Sequence, residues 1–150
     1  MNKLFLLLAA LAWSGVVPAA GDFSGAWVLN TDKGENLGMV SMVDQTLVVT
    51  QSETEVVLDY TNEFMGTHKR LVTLDLGGSE VENPAAMGDP SKTVSAWDGD
   101  SLVTTWMTER LLGDPLESTE TIAMAEDGTM IISTERAEKP TMVLVYERQE

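Results

Sequence analysis

Apolar residues in this chain recur mainly at every second position, over short runs broken by turn residues. Thr46–Gln51 reads TLVVTQ and Glu55–Tyr60 reads EVVLDY; Lys69–Leu76 alternates, with Val72, Leu74 and Leu76 on one face. Period-two alternation places successive side chains on opposite faces of an extended strand. Later come Lys92–Ala96, Leu102–Glu109, Glu117–Ala125, Thr129–Arg136 and Met142–Arg148. Between the runs stand Ser52-Glu53-Thr54, the stretch Asn62–His68, Gly77-Gly78, and two Asp-Gly turns at Asp98-Gly99 and Asp127-Gly128. The pattern predicts an all-β domain of about eight to ten antiparallel strands joined mostly by short turns. A meander that closes on itself removes exposed edges, so a barrel is the expected architecture.

Register follows from the same pattern. The Asp98-Gly99 and Asp127-Gly128 segments look like two copies of one hairpin. In the second, a three-residue loop with Gly128 at positive φ opposes Met124 to Met130 and Ile122 to Ile132. A two-residue loop instead opposes Ile122 to Ser133. The first register pairs apolar with apolar and is the expected one. Thr31–Asp44 reads as a long loop or a short helix around Leu37–Val43. Ser79–Pro90 (SEVENPAAMGDP) carries two prolines and reads as a loop beside the barrel.

The first run, Asp22–Asn30, holds Phe23, Gly25, Trp27 and Leu29 on one face. Gly25 removes a side chain beside the indole and lets another group approach it. With an even strand count the first and last strands are antiparallel neighbours, which brings Arg148 to Trp27. This Gly25-Ala26-Trp27 entry, with the closing strand Met142–Arg148, resembles the lipocalin and fatty-acid-binding protein superfamily. The resemblance implies an antiparallel up-and-down β-barrel, lipocalin-like, with Trp27 and the basic Arg148 closing one end. Fatty-acid-binding proteins place an arginine two residues before a tyrosine on the last strand to hold a carboxylate; here Leu144 precedes Tyr146 at that spacing. There is also a looser likeness to small secreted bacterial lipocalin-like domains.

The first 20 residues read as an export signal. Lys3 supplies the positive start, an apolar run extends from Leu4 to Val17, and Pro18-Ala19-Ala20-Gly21 supplies small residues for cleavage. The expected organisation is a signal peptide over 1–20 and a barrel domain over 21–150, placed in the periplasm or outside the cell. The apolar run is too short for a membrane span. The chain has no cysteine, so neither disulfides nor a lipid-anchoring cysteine is available. The formal charge is −15, and losing Lys3 with the leader makes it −16. Such a surface disfavours nucleic acid and anionic lipid.

Candidate chemistry is sparse. His68 is the only histidine, beside Lys69 and Arg70 in a turn, and no serine stands in a nucleophile-elbow context. One histidine and no cysteine argue against a transition-metal site, and the acid pairs Asp98/Asp100, Glu80/Glu82 and Glu53/Glu55 lack calcium-loop spacing. No cofactor is expected. What remains is an apolar pocket lined by Trp106, Met124, Leu144 and Tyr146, with Arg70, Arg110 and Arg136 as strand-end cations at a mouth. The expected function is non-enzymatic binding of a small apolar or amphipathic ligand. The alternative is an acidic interaction or inhibitor module for a basic protein or a cell-envelope partner. A small hydrolase or isomerase is the third reading.

Overall fold

The computed structural model describes residues 21–150. The expected export signal over 1–20 lies outside the described residues. Ten antiparallel strands follow one another around a barrel: β1 Gly25–Leu29, β2 Asp44–Gln51, β3 Glu55–Glu63, β4 Thr67–Asp75, β5 Val81–Pro84, β6 Pro90–Asp98, β7 Ser101–Thr108, β8 Leu116–Met124, β9 Met130–Arg136 and β10 Met142–Arg148. The hydrogen-bonded order is β4-β3-β2-β1-β10-β9-β8-β7-β6-β5. The two terminal strands therefore zip together, with Trp27 opposite Arg148 and Leu29 opposite Tyr146.

β4 and β5 share no ladder, and the Asn83 side chain bridges the gap between them. Asn83 Oδ1 accepts from the Thr73 N–H at 2.9 Å, and Asn83 Nδ2 donates to the Thr73 carbonyl at 2.8 Å. The amide thus repeats the donor-and-acceptor pair of a backbone peptide. Asn83 is only 5% exposed, and Nδ2 also donates to Thr93 Oγ1 at 2.9 Å.

Three expectations are corrected. Ser79–Pro90 is not a plain loop, because Val81–Pro84 forms β5 and pairs with β6. Its prolines, Pro84 and Pro90, face each other at the last rung, where strand ends tolerate a missing N–H. The turn expected over Asn62–His68 shrinks to Phe64-Met65-Gly66, since the β3–β4 ladder runs out to Glu63 and Thr67. The two Asp-Gly hairpins also differ. Met124 opposes Met130 and Ile122 opposes Ile132, with Gly128 at φ 87°, as the apolar register requires. In the other hairpin Asp98 pairs with Ser101, so Gly99-Asp100 is the loop and the glycine comes first. Thr31–Asp44 contains a single 3₁₀ turn, Gly38–Met42.

Alternate connections of a meander lie at the same end. One end, the floor, carries the start of β1, the end of β10 and the β2–β3, β4–β5, β6–β7 and β8–β9 turns. The other end, the mouth, carries the 3₁₀ turn and the remaining turns. The core runs along the barrel interior and includes Phe23, Trp27, Leu47, Val56, Leu58, Val72, Leu74, Leu102, Ile122 and Ile132.

Candidate functional site

The closed end is built around Trp27. Its indole N–H donates to the Phe23 carbonyl at 2.9 Å, and the Phe23 ring stacks on Trp97 with centroids 5.9 Å apart. Arg148 Cζ lies 4.3 Å from the Trp27 ring centre, and Nη1 donates to the Ser24 carbonyl at 3.1 Å. Gly25 makes room for this. A Cβ there would stand 2.5 Å from Arg148 Nη1, on a backbone with φ 139°. At this end the inward side chains Val49, Val56, Leu74 and Leu102 are buried and fill the lower interior, and Gln51 Oε1 accepts from the Phe23 N–H at 3.0 Å.

Farther up, the same inward positions turn polar. Gln45 continues the face of Leu47, Asn62 that of Tyr60, Arg70 that of Val72, and Glu120 that of Ile122. The Tyr146 hydroxyl donates to Gln45 Oε1, and Gln45 Nε2 donates to Asn62 Oδ1 at 2.7 Å. Arg70 Cζ sits 4.4 Å from the Tyr60 ring centre, with Nη1 donating to the Pro84 carbonyl at 3.3 Å. Glu120 lies between Thr104 of β7 and Thr134 of β9. The residue is half-buried, but its Oε1 is fully shielded and has no hydrogen-bond partner among the described residues; the same holds for Trp106 Nε1.

These groups share one electrostatic field. Burial pushes the Glu120 carboxyl above its ordinary range, while the Arg70 cation and the Trp106 indole N–H pull it back down. Burial also pushes up both tyrosine hydroxyls. The Glu120 charge adds to that rise at Tyr60 and, after the effect of Tyr60, at Tyr146, and Arg70 opposes it at each. The arrangement offers an acidic acceptor, an indole donor and two high-pKa phenols within one barrel interior. It offers no nucleophile–base pair. Among the described residues, no group of three or more His, Asp or Glu side chains is close enough together to hold a metal ion.

The residues singled out in the sequence do not all meet. Trp106, Leu144 and Tyr146 face inward and are buried. Met124 is half-buried at the floor end of β8, packed against the core. It stands six residues from Ser118, the partner of Trp106, or about 20 Å along the strand. Arg70 lies on the Tyr60 ring. Arg110 stays within its own loop, where Nε donates to the Asp114 carbonyl at 2.9 Å. Arg136 ends β9 opposite Ser118 at the mouth, and His68 is exposed on β4. Gln45, Asn62, Asn83 and Glu120 were not singled out. The signal for Glu120 was present, because the register that turns Ile122 inward also turns Ser118 and Glu120 inward.

Two shallow recesses of about 300 Å³ each open at the mouth end. Neither is lined by Glu120 or Trp106. One is lined by Leu29 and Gln45 and so adjoins the hydrogen bonds of Tyr146.

No protein-family model and no curated protein matches the chain. Solved structures do. The wild-type fluorescent protein UnaG superposes with a TM-score of 0.69 at 18% identity, covering 85% of this chain and 97% of that one. A mutant of the same fluorescent protein gives 0.71 at 16% identity, covering 85% and 96%. The REP1-NXSQ fatty acid transporter gives 0.68 at 16% identity, with the same coverage as the mutant. At these identities the likeness is one of fold: the chain forms an antiparallel β-barrel similar to those of these proteins.

Proposed function

We propose that this protein is an exported, non-enzymatic carrier or sensor of a small amphipathic molecule, held in the upper half of the barrel. The observation that carries the reading is the change of polarity inside the barrel. An apolar, filled floor gives way to an upper zone where the shielded Glu120 Oε1 and Trp106 Nε1 lack hydrogen-bond partners among the described residues. Buried polar groups without partners are costly in a fold that serves only itself, and they persist where a ligand meets them. The filled floor confines the ligand to the upper interior, near Leu29, Trp106 and Leu144. The fatty acid transporter among the structural neighbours supports a binding role for this architecture. Export rests on the leader pattern in residues 1–20. It is checked by fractionating the producing cell and sequencing the mature N-terminus.

Native mass spectrometry of protein purified from its own host tests the reading. A retained small molecule in one-to-one ratio is expected, together with saturable fluorescence of Nile red that falls when Trp106→Ala is introduced. Bare protein with no saturable dye binding would overturn it.

A further inference from the structure

The charges of the upper interior point to a kind of head group. By strand alternation the inward-facing charged residues above the floor are Arg70, Glu120 and, at the mouth end of β9, Arg136. Arg70 is engaged already, with its Cζ over the Tyr60 ring and Nη1 donating to the Pro84 carbonyl. The ion pairs among the described residues, Lys33–Glu147 and Lys92–Glu80, lie on the outside. Among the described residues, Glu120 therefore has a shielded oxygen with no cation within 4 Å and no donor in hydrogen-bonding geometry. A carboxyl so placed calls for a donor, best of all a charged one.

Three aromatic side chains face the same interior. Trp106 is only 6% exposed, and its Nε1, like Glu120 Oε1, has no hydrogen-bond partner among the described residues; Tyr60 and Tyr146 are buried beside it. Aromatic faces attract organic cations, and a carboxylate among them completes a site for an ammonium. A ligand carboxylate entering the same zone would meet Glu120 as a like charge. The mature charge of −16 adds a long-range pull that concentrates cations at the surface.

Resting on the carrier reading above, we infer that Glu120 anchors the ligand's head group and that this head group is a protonated amine on an apolar body, not a carboxylate. The test compares dodecylamine, dodecanol and dodecanoate, each below its micellar concentration, by isothermal titration to the full mature protein at neutral pH. Wild type should bind dodecylamine about tenfold or more tightly than dodecanoate. Glu120→Gln should remove that preference and leave dodecanol binding unchanged. Glu126→Gln, which removes an exposed floor charge, should keep the preference; loss of it there would mean that surface charge alone is responsible and would overturn the assignment. Equal or tighter binding of dodecanoate by wild type would also overturn it, while leaving the carrier reading intact. Failure of all three probes to bind would overturn both.

Discussion

At the floor end the interior is apolar and the turns are polar. Ser52-Glu53-Thr54, Gly99-Asp100 and Glu126-Asp127-Gly128 carry no large apolar side chain, while Trp27, Val56, Leu74 and Leu102 fill the space beneath. The mouth end reverses both choices. Gln45, Asn62, Arg70 and Glu120 face the interior, and four of the five connections carry exposed apolar tips: Met39 and Met42, Met65, Met87, and Leu111 with Leu112. Met65 and Met87 are 92% and 90% exposed. A folded chain gains stability from burying apolar surface and loses it by burying unpaired polar groups. The floor follows that rule and the mouth departs from it twice, so the floor holds the fold together while the mouth is available for another use.

The largest effect expected from this division is at Trp27. Trp27→Ala empties the fully buried indole site and leaves Arg148 without its ring, and should cost about 3–5 kcal/mol. Urea unfolding followed at the remaining tryptophans measures it. A loss below about 1 kcal/mol would mean that the floor is not where stability resides.

Asn83 sits on the seam between β4 and β5, and its effect should rank second. Asn83→Ala leaves the Thr73 N–H and carbonyl without their partners and should cost about 1–3 kcal/mol. Hydrogen exchange at the Thr73 amide should accelerate more than at Leu58, which lies within a complete ladder. Equal acceleration at both would show the seam to be no weaker than the rest of the wall.

That seam also marks the limit of what the chain's pattern made legible. Alternation located nine of the ten strands, and the pairing of termini followed from the parity of the meander. β5 was missed because four residues ending in a proline are too short a run for alternation to be read, and because the side chain that fixes the strand in place acts as a backbone peptide. The site was legible in proportion to its apolarity. Trp106, Leu144 and Tyr146 stand out as large inward groups. Glu120 does not, since a glutamate in so acidic a chain looks like solvated surface until its strand register is fixed. Met124 was drawn in by the same register, which sets a side chain's face but not its height in the barrel.

Glu120 connects the two ends through pH. Its native carboxyl titrates above the ordinary value of 4.5, mainly through burial. The unfolded chain then gives up this proton first, so stability falls as pH rises from the ordinary glutamate range to the native value, and stays level above it. One group sets a limit of about 1.4 kcal/mol per pH unit. Asp22, Asp127 and Glu147 are held low by hydrogen bonds and slope the opposite way. The wild-type curve alone is therefore uninformative. The difference between wild type and Glu120→Gln should decline through that window, and parallel curves would show that the carboxyl is not held in its buried form.

The smallest effect expected belongs to the mouth tips, and it is the sharpest test of the contrast between the ends. Met65 lies at φ 51° in a three-residue turn, Met87 in the β5–β6 turn and Leu111 in the β7–β8 loop, and all three side chains extend into solvent. Changing each to Ser removes apolar surface that folding does not bury. Each change should therefore shift unfolding free energy by no more than about 0.5 kcal/mol, and the triple variant should stay near the sum because the sites share no partners. Solubility at high protein concentration should rise in the same variant, since exposed apolar tips favour self-association. If the triple variant lost stability on the scale expected for Trp27→Ala, the tips would have to be packed against the barrel in solution. The reversal of polarity between mouth and floor would then not exist.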